Sequence, residues 1–80
     1  MIKLKILSPE ELLVEKEVEQ VELPGTKGRF VVLKDHAPII SSLTAGRISW
    51  TCADGSEDSL ETGSGFARVR DNVVIACIER

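Results

Sequence analysis

Tyrosine is absent from this eighty-residue chain, and Phe30, Trp50 and Phe66 are its only aromatic residues. Stacking platforms for single-stranded nucleic acid are therefore scarce. Basic residues number 10 against 13 acidic ones, for a net charge of −3. Phosphate binding needs a clustered positive field, so nucleic acid is not expected as a partner. A single histidine, His36, stands with two cysteines, Cys52 and Cys77, far apart in sequence. There is no Cys-x-x-Cys and no nearby histidine, which argues against zinc. The cysteines read as thiols in strands, because a reducing cytosol disfavours a disulfide. No apolar run approaches the roughly 20 residues of a membrane span. The start alternates Ile2, Leu4 and Ile6 with Lys3 and Lys5, where a signal peptide needs a continuous apolar stretch. The chain is expected to be cytosolic as made, and to meet a membrane only through a partner.

What is present is a succession of short strands. Eighty residues make one domain, residues 1–80, which buries only about 60% of its unfolded surface and leaves little room for an enclosed substrate pocket. The Ile2–Ile6 alternation has the period of a half-buried strand. Ser8-Pro9-Glu10 breaks it, and Leu12 to Val14 begins a second apolar piece. Val18, Val21 and Leu23 slip the alternation by one residue, which predicts a bulge; Pro24-Gly25 closes that strand. Phe30 to Leu33 is a continuous apolar run, expected to be buried on both faces. Pro38 to Leu43 is another strand. Ile48, Trp50 and Cys52 alternate with Arg47, Ser49 and Thr51. Asp54-Gly55 predicts a type I′ hairpin, returning through an edge strand over 57–61. Gly65 to Arg70 and Val73 to Ile78 pair through Asp71-Asn72, and the second of these reads as a central strand. No segment carries a helical period. The fold class is all-β, a small β-sandwich of about eight to ten short strands in two sheets, with no substantial helix.

Residues that could carry chemistry do not converge. His36 has no carboxylate placed to orient it and no serine in Gly-x-Ser-x-Gly, since Gly63-Ser64-Gly65 is not that motif. Gly25-Thr26-Lys27-Gly28 lacks the Lys-Ser/Thr and the helix of a phosphate loop, and reads as a hairpin tip. Glu15, Glu17 and Glu19 share one strand face and read as a solvated edge. Arg47, Arg68 and Arg70 have glutamates as their default cross-strand partners. A biotinyl or lipoyl carrier would show a flanked lysine at a hairpin tip, and Lys27 and Lys34 lack those flanks. No cofactor or metal is expected. An enzyme is not expected. The alternative at this level is a free-standing all-β small-ligand-binding or carrier domain, with its site in the Gly25–Gly46 loops.

Three blocks together are more specific. Gly28 followed by His36-Ala37-Pro38-Ile39-Ile40, Leu43 and Gly46 forms one. Gly63-Ser64-Gly65-Phe66-Ala67-Arg68-Val69 with Asp71-Asn72-Val73 forms another, and Leu4, Ile6 and Ser8-Pro9-Glu10 the third. Their order resembles the N-terminal domain of the epsilon subunit of F-type ATP synthases. The sequence departs from that pattern at Lys34-Asp35, where Pro-Gly is common, at Ser64, where Gly is usual, and at Arg29, often acidic. The helical pair that follows this domain in typical relatives has no counterpart in these residues, so neither an inhibitory arm nor an ATP site is expected on them.

The resemblance implies a non-catalytic rotor subunit of a proton- or sodium-translocating synthase. It would join the gamma subunit to the membrane c-ring, at the cytoplasmic face of a bacterial inner membrane, peripheral rather than inserted. By position in the family, Gly28, Arg29, Phe30, His36 and Ala37 are candidate c-ring contacts. Ser8, Ile39, Ile40, Ser41 and Leu43 are candidate gamma contacts. Ile39 and Ile40 must point to opposite faces of a strand, so one of the two faces outward.

Overall fold

The computed structural model describes residues 1–79. They form nine strands: β1 (Ile2–Leu7), β2 (Leu12–Val18), β3 (Gln20–Gly25), β4 (Gly28–Val32), β5 (Ile39–Leu43), β6 (Gly46–Thr51), β7 (Glu57–Thr62), β8 (Gly65–Arg70) and β9 (Val73–Ile78). The ladder runs β2-β1-β9-β8-β5-β3-β6-β7, with β4 on β3. It bends into two layers at its thinnest joint, the single pair Gly25↔Leu43 between β5 and β3. One layer is β2-β1-β9-β8-β5; the other is β4-β3-β6-β7. β1 pairs with β9 in parallel, while the other ladders are antiparallel.

Alternation decides the core. Ile2, Leu4 and Ile6 are fully buried on β1, as are Val74 and Ala76 on β9 and Ala67 and Val69 on β8. Val21, Leu23, Val32, Ile48 and Trp50 close over them from the second layer. Each buried Val, Leu or Ile contributes about 1.5–3 kcal/mol relative to exposure, which sets the two-layer packing against a small domain's thin margin. The Trp50 indole N–H is buried without an acceptor among the described residues, a local cost of about 1–3 kcal/mol that the surrounding apolar contacts must outweigh.

Several expectations shift. The slip between Val18 and Val21 is not a bulge within one strand. β2 ends at Val18, Glu19 turns the corner, and β3 begins at Gln20. The turn lets both valines face the core from different layers. The irregularity in register sits instead between Ile6 and Leu7, opposite β2. β4 is not buried on both faces: Val32 is buried, whereas Val31 is 42% exposed. Arg29 and Val31 point to the outer face of the second layer, while Phe30 and Val32 point to the core.

The two hairpins differ. Asp71 (φ 52) and Asn72 (φ 62) are both left-handed, the type I′ pattern. At Asp54-Gly55 only the glycine is (φ 87). Gly55 N–H donates to Cys52 O and Cys52 N–H to Ser56 O, 2.9 and 2.8 Å, so the loop is the three-residue kind ending in a left-handed glycine. Asp54 Oδ1 explains the choice: it accepts from Ser56 Oγ (2.6 Å) and Ser56 N–H (2.9 Å). Those bonds, the hydroxyl first, hold the Asp54 carboxyl below the usual carboxylate range.

Candidate functional site

Three surfaces gather the candidate residues. The first is the loop between β4 and β5. His36 N–H donates to Leu33 O at 3.1 Å, closing a turn over Leu33–His36. Asp35, third in that turn, has φ 64 and Lys34 does not have positive φ, the requirement of a type II turn. Asn72 braces it from the β8–β9 hairpin. Asp35 N–H donates to Asn72 Oδ1 (2.7 Å), and Asn72 Nδ2 donates to Asp35 Oδ1 (3.2 Å). Asn72 O also accepts from Lys3 N–H at 2.9 Å. One residue thus ties β1, the His36 loop and the hairpin together. His36 Nδ1 lies 2.7 Å from Ala37 O; a carbonyl only accepts, so Nδ1 carries the hydrogen. His36 has no hydroxyl or thiol nucleophile among its hydrogen-bond partners.

The second surface is the outer side of β4-β3-β6-β7. Gly25↔Gly28 closes the β3–β4 hairpin around Thr26-Lys27, as the hairpin-tip reading requires. Thr26 and Ser42 hydroxyls meet at 2.7 Å, joining this tip to β5. Arg29, expected as a free contact, is engaged within the chain. Its Nε donates to Glu22 Oε2 at 2.8 Å and its Nη2 to Arg47 O at 2.9 Å. Arg47 in turn pairs with Glu61 at 3.1 Å. Phe30 turns inward and packs on the core.

The third is the outer side of β1-β9-β8-β5. Ile40, at 76%, is the most exposed large apolar side chain, and Phe66 is 54% exposed. Register places Ile40 opposite Arg68 and Ser42 opposite Phe66. Arg68 then faces Ile75, and Phe66 faces Cys77. A hollow along Leu7, Ser8, Pro9, Phe66 and Cys77 borders the patch.

The grouped candidates therefore separate. Gly28 and Arg29 lie beside Ile40–Ser42, while His36 and Ala37 follow the opposite end of β4, about 13 Å along a five-residue strand. Ile39 and Ser41 share the inward side of β5 with Leu43, which is 2% exposed and part of the core. Only Ile40 of that set projects outward. Ser8 is spent locally, accepting from Glu11 N–H at 3.2 Å. Sequence reasoning missed Ser42, Phe66 and Arg68 as neighbours of Ile40. The signal was the shared outward phase of β5 and β8, which requires the register.

On β2, Glu15 is 3.6 and 3.7 Å from Lys3 and Lys5, while Glu17 is exposed without an ion pair among the described residues and Glu19 lies in the corner after the strand. No cluster of three or more His, Cys, Asp or Glu side chains able to hold a metal occurs among the described residues.

The profile of the ATP synthase delta/epsilon chain β-sandwich domain matches residues 1–80. The chain belongs to this family. It is 38% identical over 77 residues to the ATP synthase epsilon chain of Chlorobium limicola, covering 96% of this chain and 88% of that one. Identity to the epsilon chain of Sulfurovum sp. is 40% over 78 residues, 98% of this chain and 60% of the relative. Among solved structures, a chain of the Euglena gracilis mitochondrial ATP synthase (OSCP/F1/c-ring) superposes with TM-score 0.92 at 25% identity, covering 99% of this chain and 51% of that one. A chain of the Tetrahymena thermophila central stalk/c-ring assembly gives 0.80 at 9% identity, a likeness of fold, over 99% of this chain and 63% of its own. The chain thus spans most of some epsilon relatives and about half to two-thirds of other matches. Epsilon chains are non-catalytic stalk subunits. No helix among the described residues is long and apolar enough to cross a membrane.

Proposed function

We propose that this domain is a rotor component of an F-type ATP synthase, joining the gamma subunit to the c-ring and helping to couple ion flow to ATP synthesis. It works at the cytoplasmic face of a bacterial inner membrane, held there by the complex. The observation that carries this reading is the family match over the whole chain, on a fold whose outer sheet side leaves Ile40 and Phe66 in solvent. A joint under torque needs stiffness. Asn72 supplies it at one end of the sandwich by bracing three separate segments.

The c-ring contact is assigned to the His36-Ala37 loop, which the Asn72 brace holds in one conformation. The Gly28-Arg29 tip lies at the other end of β4, and its arginine is engaged within the chain by Glu22 and the Arg47 carbonyl. Coupling is mechanical: a rigid sandwich transmits rotation by keeping gamma and the ring in register. Obligate interfaces of this kind exceed about 2,000 Å² and are apolar at their centre, which the Ile40 and Phe66 side can supply.

The test is co-elution. Mixed at micromolar concentration and moderate salt, this chain and the gamma subunit encoded in the same genome elute as one complex on size-exclusion chromatography. Separate elution overturns the proposal and favours a free-standing ligand-binding domain. In reconstituted complexes, His36→Ala keeps gamma bound and weakens attachment to the c-ring. Unfolding of that variant would make His36 a core residue instead.

A further inference from the structure

We infer that the outer face of β5, β8 and β9 receives an apolar, acidic segment of gamma, with Arg68 as the charge that selects it. This deepens the rotor reading and rests on it. The two outer sheet faces differ in how their charges are satisfied. On β4-β3-β6-β7, Glu22, Arg29, Arg47 and Glu61 bond to one another or to backbone. On the other face Lys3 and Lys5 have Glu15, and Arg70 has Asp71 at 3.4 Å. Arg68 has no ion pair among the described residues.

Its neighbours make that vacancy informative. Register puts Ile40 on one side of Arg68 and Ile75 on the other. Phe66 and Cys77 lie one step up the same face, directly paired. An unpaired guanidinium therefore sits among Ile40, Ile75 and Phe66, two of them more than half exposed, with the Asp71-paired Arg70 next on the same side of β8. A purely apolar partner would bury these side chains and strand the charge, at a cost of several kcal/mol. A purely acidic partner would gain little from Ile40 and Phe66. The surface fits a segment with an apolar ridge and a carboxylate set to meet the planar Arg68 fork. Such a contact also rejects partners carrying a basic residue there.

The experiment uses the whole chain and the gamma subunit from the same genome. Affinity is measured for the unaltered chain, for Arg68→Glu, for Arg68→Met and for Ser59→Glu on the opposite outer face. Arg68→Glu weakens binding about 100-fold, as expected when one member of a desolvated charge pair is lost, and Arg68→Met weakens it less. Ser59→Glu leaves affinity unchanged. Thermal unfolding followed by Trp50 fluorescence confirms that the variants fold. Iodoacetamide gives an independent readout: bound gamma slows alkylation of Cys77 on this face and leaves Cys52 unaffected. Unaltered affinity in both Arg68 variants, or equal labelling of Cys77 in the complex, overturns the inference while leaving the rotor reading intact. Failure of the unaltered chain to bind gamma removes both.

Discussion

Asp35 is the sharpest test of the His36 loop. It adopts φ 64 in the turn over Leu33–His36, a backbone conformation that favours glycine. Compare Asp35→Ala with Asp35→Gly. Both lose the same bond, Asn72 Nδ2 to Asp35 Oδ1 at 3.2 Å and exposed, worth about 0.5 kcal/mol. Both keep the bond from the residue 35 N–H to Asn72 Oδ1. They differ in backbone terms. A left-handed residue with a plain Cβ costs about 1–2 kcal/mol, which glycine avoids. Glycine gives back about 0.5–1 kcal/mol through the freer unfolded chain. The glycine variant is therefore the more stable by about 1 kcal/mol. For a domain this size that separates the melting temperatures by about 4–8 °C. The sole tryptophan, Trp50, is buried and no tyrosine competes with it, so its fluorescence reports unfolding cleanly. Equal midpoints, or a more stable alanine variant, would refute the left-handed turn.

Two further outcomes follow from contacts. Gly65→Ala places a Cβ against the Cys77 carbonyl oxygen and 2.8 Å from Ile78 Cα; backbone must move, and the loss is about 3 kcal/mol by urea unfolding. Arg29→Glu sets two carboxylates together where Arg29 now meets Glu22 at 2.8 Å, costing about 0.5–1 kcal/mol because both side chains are near 40% exposed. Adding Glu22→Lys restores most of it, and a double-mutant cycle showing no coupling would mean that the pair is ornamental.

Local chemistry was legible in the sequence wherever it was self-contained. Asp71-Asn72 announced a hairpin, Ile48 and Trp50 announced the inward phase of β6, and the apolar-poor stretch at Glu57–Glu61 announced an edge. The fold class followed from these. Long-range facts were not legible. The parallel β1–β9 ladder joins segments about seventy residues apart, and no local pattern encodes it. The bulge expected near Val18 became a corner because the two valines serve different layers. Asp54-Gly55 matched the hairpin signal yet formed another turn, since Ser56 captured the Asp54 carboxylate. The candidate contacts suffered most. Alternation on β5 showed that Ile39 and Ile40 diverge, but only pairing with β8 assigned Ile40 outward and Leu43 to the core.

Family position and physical availability are separate questions, and Arg29 shows why. The family resemblance makes Arg29 a candidate contact, and its charge would call for an acidic target. Glu22 and the Arg47 carbonyl already occupy its guanidinium. Pulling Arg29 away to meet a partner would first break both bonds and leave Glu22 unpaired, so the net gain is small. Arg68 has no ion pair to break among the described residues, and unlike Lys16, Lys27 and Lys34, which also have none, it lies between two apolar cross-strand neighbours, Ile40 and Ile75. A partner that covers those side chains must also meet the guanidinium, which is what the proposed docking at β8 requires, while Arg29 stabilises the opposite sheet.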